Sequence, residues 1–419
     1  MRSQHARHNE PRHSEHGQVL VIVALSMVIL VAMVGVVIDG GYAWGKQRDT
    51  QNAADAVAKA GAVKLTENLA GKEPASTDED VREAMQDTAD ANEVAMPKAF
   101  YTDFEGSMIT NGGIPTTNES AAVEVGNGAI PDAAEGVRAV ANQSFDTFLA
   151  RIIGFDQFTA QADAVARSGW LTGTCEADAG CGVMPVTIPV TQLGCDGTGQ
   201  PAPVIDGDGD KILWTAPSSD IVVLPLCSAG PGNVGWLDWT PDGGTPGCTG
   251  TGKAEIACIL LDPSNPGLRW PGWYYVPETG NPNSGPIQDA LYGFDGATVL
   301  IPQFDLTCNT KPSGPGITDC PPANVGGNGM NQWYHLAGMS SFHLCTDSGP
   351  DLDFNADCVA AGFDHGSYVQ GSNKIPCDTG NGATSCFGGK FVVISYEGEV
   401  AQQPGVNSAS SVPGIQLIR

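Results

Sequence analysis

The chain has 419 residues, with 20 basic against 47 acidic side chains and a formal net charge of −27. That balance argues against nucleic-acid binding by phosphate neutralisation and describes a soluble, non-sticky surface. Glycine (54) and proline (29) stay below the share typical of disordered chains, and the length allows two or three turn-rich domains.

Residues 1–18 lack apolar periodicity and read as a short cytoplasmic tail. His5, His8, His13 and His16 recur there at short spacings, but the tail offers no core to hold metal ligands in place. Val19 to Ile38 follows, an apolar run without a charge. As a helix rising about 1.5 Å per residue it spans roughly 30 Å, the thickness of a bilayer's hydrocarbon. A cleaved secretory signal is the competing reading, since Gly41 and Ala43 imitate a small-x-small cleavage site. Its apolar core would run only about 7–15 residues, so a single-pass anchor is preferred.

Asp39 ends the run, and the helix is expected to continue to about Asn68. Ala53, Ala56, Ala60 and Val63 share one face at helical spacing, small enough for another backbone to approach closely. Packing on the chain's own sheet is preferred there over helix–helix assembly. Gly71 and Pro74 stop the segment, and Thr77-x-x-Asp80 is a capping box for a second helix over 78–95. Period-two patterns then predict strands at 121–125, 137–142 and 158–167, with a short helix over 145–153. Alanine is a poor strand former, so the last strand rests on its period. Residues 39–169 thus read as an α+β unit, a helix covering a small sheet outside the membrane.

Residues 17–62 as a whole resemble the amino-terminal signature of TadE/TadG-like proteins, single-span components of the bacterial tight-adherence (Flp pilus) assembly system. The likeness rests on Gly17 before the span, Asp39-Gly40 after it, and Gln51, Asn52, Ala53, Ala54 and Asp55 leading into an alanine-rich helix. It extends less distinctively over the sheet region 120–168. It implies a non-enzymatic membrane protein that works with other pilus-assembly or secretion-system proteins and has no small-molecule substrate. Processed Flp-type pilins carry glutamate five residues after the cleaved glycine, where this chain has Ile22. The Asp-x-Ser-x-Ser metal motif of von Willebrand A-like domains in some TadG-like proteins is absent, since Asp262-Pro-Ser-Asn-Pro266 departs at its last position.

Gly169 to Gly173 marks an expected boundary. Residues 170–400 read as a mainly-β domain with long loops and strands at 185–190, 221–226, 297–304 and 391–398, followed by a tail over 401–419. All twelve cysteines lie in that domain, which points to an oxidising compartment and hence to a cytoplasmic amino terminus and an extracytoplasmic body. Short separations suggest Cys175–Cys181, Cys248–Cys258, Cys308–Cys320, Cys345–Cys358 and Cys377–Cys386, leaving Cys195 for Cys227. No Cys-x-x-Cys pair occurs, which disfavours zinc.

Two acidic runs invite a calcium reading. Asp206, Asp208 and Asp210 alternate like the start of a calcium loop, but Lys211 and Pro217 stand where an EF-hand needs glycine and glutamate. Asp351, Asp353, Asn355 and Asp357 form a second such run with the same shortfall. Acidic turns are preferred for both, and otherwise no cofactor is expected. Hydrolase elbow, zinc-protease and phosphate-loop motifs are missing. His335 and His343 would share a strand face but stand about 26 Å apart, too far for one metal. Trp236, Trp239, Trp270, Trp273, Tyr274 and Tyr275 cluster, as core filling or as a binding face. The expected fold is therefore α+β: a transmembrane helix continuing into an extracellular helix on a small sheet, then a disulfide-rich mainly-β domain. The expected function is an anchored pilus-assembly component. The alternative is a membrane-tethered, adhesin-like module for calcium, glycan or another surface, with an anchored hydrolase a distant third.

Overall fold

The computed structural model describes residues 16–174, 183–195, 201–227, 235–238, 253–261, 268–279, 285–326, 332–370, 383–405, 407 and 409–418. Its first element, α1 (His16–Leu69), is one helix of 54 residues, about 80 Å long. Among the described residues it is the one helix long and apolar enough to cross a membrane. From Val19 to Ile38 its side chains are exposed, and only Gly35 is covered. Gly40 and Gly41 then interrupt nothing, although glycine inside a helix costs about 1 kcal/mol relative to alanine. The helix must therefore be held from outside, and its outer half shows how. Thr50, Ala53, Ala54, Val57, Ala58, Gly61, Ala62, Leu65 and Thr66 are buried, in steps of three and four.

That stripe lies on a sheet made by two separate parts of the chain. After α2 (Asp78–Ala91) come β1 (Ala95–Thr102), β2 (Met108–Ile109), β3 (Pro115–Thr116), β4 (Gly136–Asp146) and β5 (Gln157–Thr174). β4 and β5 form a hairpin, paired from Gly136–Arg167 down to Asp146–Gln157. Ala139 and Ala141 on β4 and Ala162, Ala164 and Ala166 on β5 share one core with the α1 alanines. Small side chains on both surfaces let helix and sheet approach closely, which is why a strand of poor β-formers persists here. The buried stripe is rotated from the predicted one. Ala53 belongs to it, whereas Ala56, Ala60 and Val63 are half-buried on its flank. The expected packing on the chain's own sheet is what the helix does.

A mainly-β body follows: β6 (Val186–Pro189), β7 (Leu193–Cys195), β8 (Pro201–Pro203), β9 (Val222–Cys227), β10 (Gly235–Asp238), β11 (Gly272–Thr279), β12 (Thr298–Cys308), β13 (Gln332–Leu344), β14 (Tyr368–Gln370) and β15 (Ala383–Phe391). Helices α3 (Lys253–Leu261), α4 (Gly285–Tyr292) and α5 (Leu352–Ala360) are set among them. β11, β10, β6, β12 and β13 are joined in that order, and β11 also pairs with β13. These five strands close on themselves and so leave no edges between them. Val299 and Ile301 of β12 enter a core shared with α3 and α4, while Leu300 enters a second one with Tyr334 and Leu336. Period two thus separates two cores on opposite faces of one strand.

The chain then returns. β16 (Tyr396–Ala401) and β17 (Pro413–Ile418) both pair with the outer part of β5, giving the order β16-β17-β5-β4-β1-β2-β3. Several expectations are corrected here. Residues 401–419, expected as a tail, supply β17. The run 391–398 is not one strand but splits between β15 of the body and β16 of the first sheet. Gly169–Gly173 is no break, since β5 runs through it. The predicted helix over 145–153 is the end of β4 and a 3₁₀ turn at Ala150–Ile153. The strand predicted at 121–125 is reduced to one bridge, Phe100 opposite Glu124, with Tyr101 N–H on Val123 O and Val125 N–H on Ala99 O.

Buried Asp78 fastens the sheet's other layer. Thr77 and Asp80 form the predicted capping box of α2. Asp78 beside it accepts hydrogen bonds from Tyr101 Oη (2.6 Å), Gly126 N–H (2.8 Å) and Gly128 N–H (2.6 Å). Burial acts to raise its pKa, but these donors outweigh it and hold the carboxyl below the ordinary 3.8. A carboxyl depressed in the folded state stabilises it above the unfolded value, and that stabilisation fades as pH falls through the folded one. Asp78→Asn should cost about 1–3 kcal/mol near neutrality, and its loss of stability between pH 6 and 3, followed by thermal unfolding, should be shallower than the wild type's. Gly61 generates a second prediction. A Cβ there would stand 2.7 Å from Met85 Sδ and 2.8 Å from Val137 Cγ2. Gly61→Val should therefore destabilise the chain by about 1–3 kcal/mol through overpacking, measured by denaturant unfolding in detergent.

Candidate functional site

At the end of the apolar run α1 meets the β4–β5 hairpin loop, and one carboxylate makes the joint. Asp39 is buried to 4% exposure. Its Oδ1 accepts the Phe148 N–H at 2.8 Å, and its Oδ2 accepts the N–H groups of Leu149 (3.0 Å) and Ala150 (2.5 Å). These are the otherwise unpaired donors that begin the 3₁₀ turn Ala150–Ile153, where an acceptor is most favourable. Burial would raise the Asp39 pKa, but the donors of Phe148, Ala150 and Leu149, with Arg151 nearby, hold it below the usual carboxylate range. Gly154 ends the turn with φ +96°, a conformation that costs a residue with a Cβ. Thr147 N–H then bonds to Asp156 O at 3.0 Å and closes the loop.

Further along α1 the helix side chains tie down the sheet. β17 ends opposite Val165, so the β5 residues nearer the hairpin loop have β4 on one side and no strand among the described residues on the other. Gln47 Nε2 donates to Gln161 O on that strand at 2.7 Å, and Gln51 Nε2 donates to Asp163 O at 3.3 Å and to Asp55 Oδ1 at 3.0 Å. The spacings agree: four helical residues rise about 6 Å and two strand residues about 6.6 Å. Glutamine side chains thus cover what would be an open strand edge. Higher up, Lys59 Nζ pairs with Glu397 Oε1 of β16 at 2.7 Å. An open groove of about 1170 Å³ lies beside the joint, bounded in part by Tyr42, Lys46, Phe148 and Arg151.

The motif residues are thereby placed. Gly17 lies in the first turn of α1, Asp39 makes the joint, Gln51 and Asp55 bond each other, Ala53 and Ala54 are buried, and Asn52 is exposed. Sequence reasoning missed Gln47, whose only signal is its four-residue spacing from Gln51.

The acidic runs stand apart from this joint and from each other. Asp206 Oδ1 accepts the N–H groups of Asp208 (3.0 Å) and Asp210 (2.9 Å) inside an exposed turn. Asp351 caps α5 by accepting the Phe354 N–H. Asp353, Asn355 and Asp357 follow within α5, where residues two apart diverge rather than converge. Asn355 Nδ2 donates to Gly349 O, and Asp357 pairs with Lys390 at 2.7 Å. Among the described residues no group of three or more His, Cys, Asp or Glu side chains is arranged to hold a metal ion. Buried His335 bonds Asp305 through Nδ1 at 2.7 Å and packs on Trp273.

Cys308–Cys320 and Cys345–Cys358 are disulfides, with Cα–Cα distances of 5.9 and 5.6 Å. Cys195, Cys258 and Cys386 are also disulfide-bonded. Cys175, Cys181, Cys248, Cys377 and the Cys227 side chain lie outside what is described, and the remaining expected pairings with them. Of the aromatic cluster, Trp236 and Trp270 are buried in cores and half-buried Tyr274 packs against one of them, whereas half-buried Trp273 lies on His335 and half-buried Tyr275 on Trp333. Trp239 lies outside the described residues.

A family model described as putative Flp pilus-assembly TadE/G-like matches residues 17–64. Those residues are the span, the joint and the sheet-covering part of α1. Comparison with curated proteins returns no match, and neither does comparison with solved structures. The joint predicts its own test. Asp39→Ala would leave three backbone donors without their acceptor, so the variant should melt at a lower temperature and become protease-sensitive within 147–156. Limited proteolysis with mass spectrometry, on the full chain in nanodiscs, checks this.

Proposed function

We propose that the chain is a non-enzymatic, single-pass membrane-anchored component of Flp (tight-adherence) pilus assembly, with its amino terminus cytoplasmic and its body outside. The observation that carries this reading is the identity of two segments. The residues that match the TadE/G-like family model are those that leave the apolar span and bury themselves under the sheet. An anchor that needed only to tether would end at the membrane. Here the anchor is continuous with the core of the body, so the position of the span sets the position of the sheet.

The disulfides support the proposed orientation, since such bonds persist in oxidising compartments. In this reading the acidic body is held at a defined height and angle beside the assembly machinery and acts through contacts, not through bond chemistry. Removal of the chain from its source cell, followed by counting pili in electron micrographs, is the test. Pili should be lost and return with the wild-type chain. Normal pilus numbers together with failed surface attachment would instead favour the adhesin-like alternative.

A further inference from the structure

We infer that the β4–β5 hairpin loop, residues 147–156, is a second membrane contact: an apolar wedge seated in the bilayer interface beside the span. This rests on reading Val19–Ile38 as a membrane span. Phe148, Ile152 and Phe155 on the loop are 51%, 73% and 57% exposed. Three large apolar side chains on one short loop would be a poor choice for a surface facing water.

The depth of the loop follows from what it touches on α1. A Cβ at Gly35 would come within 3.1 Å of Leu149 Cβ, and Gly35 is the one covered residue of the apolar run. It lies three residues before the end of that run, about 4.5 Å inside it. The loop therefore reaches the level of the hydrocarbon boundary, and its exposed side chains continue the lipid-facing surface of the helix. Asp39 holds it there by its backbone.

The surroundings match an interface in composition. Tyr42 and Trp44 follow the run, Tyr42 meets Phe145 and Phe148 edge to face, and aromatic rings of this kind collect at headgroup level. Lys46 lies over Tyr42 and Arg48 over Trp44. With exposed Arg151 they bring three cations to one collar of a chain whose net charge is −27. Asp49, Asp146 and Asp156 are the acidic neighbours in sequence, and Asp39 is already satisfied by backbone donors. Asp49, Asp146 and Asp156, with Glu93 in the groove beside Lys46 and Arg151, offset the cations. It is therefore the exposed apolar side chains and the rings of Tyr42 and Trp44 that fit the interface of the membrane that α1 crosses.

A photoreactive benzophenone amino acid placed singly at Val28, Ile152, Phe155 or Ile114 tests this, in the full chain in nanodiscs of phosphatidylcholine and phosphatidylglycerol. Ile114 is the exposed control. Pro115 after it pairs with Ile109, and the register through β2 and β1 sets Ile114 near the level of Arg138 on β4; that puts it about 26 Å along the strands from the wedge. Lipid adducts, read by mass spectrometry, should form at 152 and 155 at least about tenfold more than at 114. Adducts at 28 but not at 152 and 155 above the control would overturn the wedge while leaving the span in place. Attachment of 152 and 155 to a second copy of the chain would overturn it as well. No lipid adduct at 28 would overturn the span, and the wedge with it.

Discussion

A single carboxylate decides whether this molecule is a body on a leash or a body on a rod. The helix leaves the apolar span through Asp39, Gly40 and Gly41, where propensity alone would allow a hinge. Asp39 removes that freedom by accepting three backbone N–H groups from a loop more than a hundred residues away. The loop is thereby joined to the helix at the membrane boundary, and the sheet that carries the loop cannot swing independently. Gln47 and Gln51 then tie α1 to β5, and from Thr50 to Leu65 one face of the helix is buried, against alanine-faced strands from Ala53 on.

The rest of the architecture passes this constraint outward. β5 is 18 residues long, about 60 Å, and is shared between two tasks. Its first half pairs with β4 next to the membrane, and its second half receives β16 and β17 after the chain has built the whole disulfide-bearing body. The body is therefore not strung on a single linker. Chain enters it from β5 and returns from it to β5, and Leu171 of β5 and Val412 just before β17 share a core with its Leu300, Tyr334 and Leu336. Asn407 adds a buried polar tie, donating from Nδ2 to Val190 O at 2.8 Å and to Gln303 Oε1 at 3.2 Å.

What could be read from the sequence was local. An uncharged run from Val19 to Ile38 has few interpretations, and Thr77 with Asp80 states its own capping geometry. The alternation over 158–167 predicts a strand even in alanine, because period survives where propensity fails. Cys308–Cys320 and Cys345–Cys358 follow from short separations. What could not be read was long-range. Asp39 looks like the polar end of a membrane helix, since nothing in its neighbourhood names Phe148, Leu149 or Ala150 as partners. The run 391–398 carries one continuous strand pattern although its halves belong to different sheets, and β17 sits in a segment with the composition of a tail. The stripe of α1 was misplaced for a related reason. Ala53, Ala56, Ala60 and Val63 satisfy helical spacing, but so do Ala54, Val57, Ala58 and Ala62, and only the sheet chooses between them.

The central claim is that span and outer helix are one rod across the Asp39–Gly41 junction. Spin labels at Leu20 and Asn52, both exposed, measure this by pulsed electron paramagnetic resonance in nanodiscs. Thirty-two helical residues separate the two backbone positions by about 48 Å, and a rod gives a narrow distribution centred near that value. A broad distribution reaching much shorter distances would place a hinge at the junction and contradict the account.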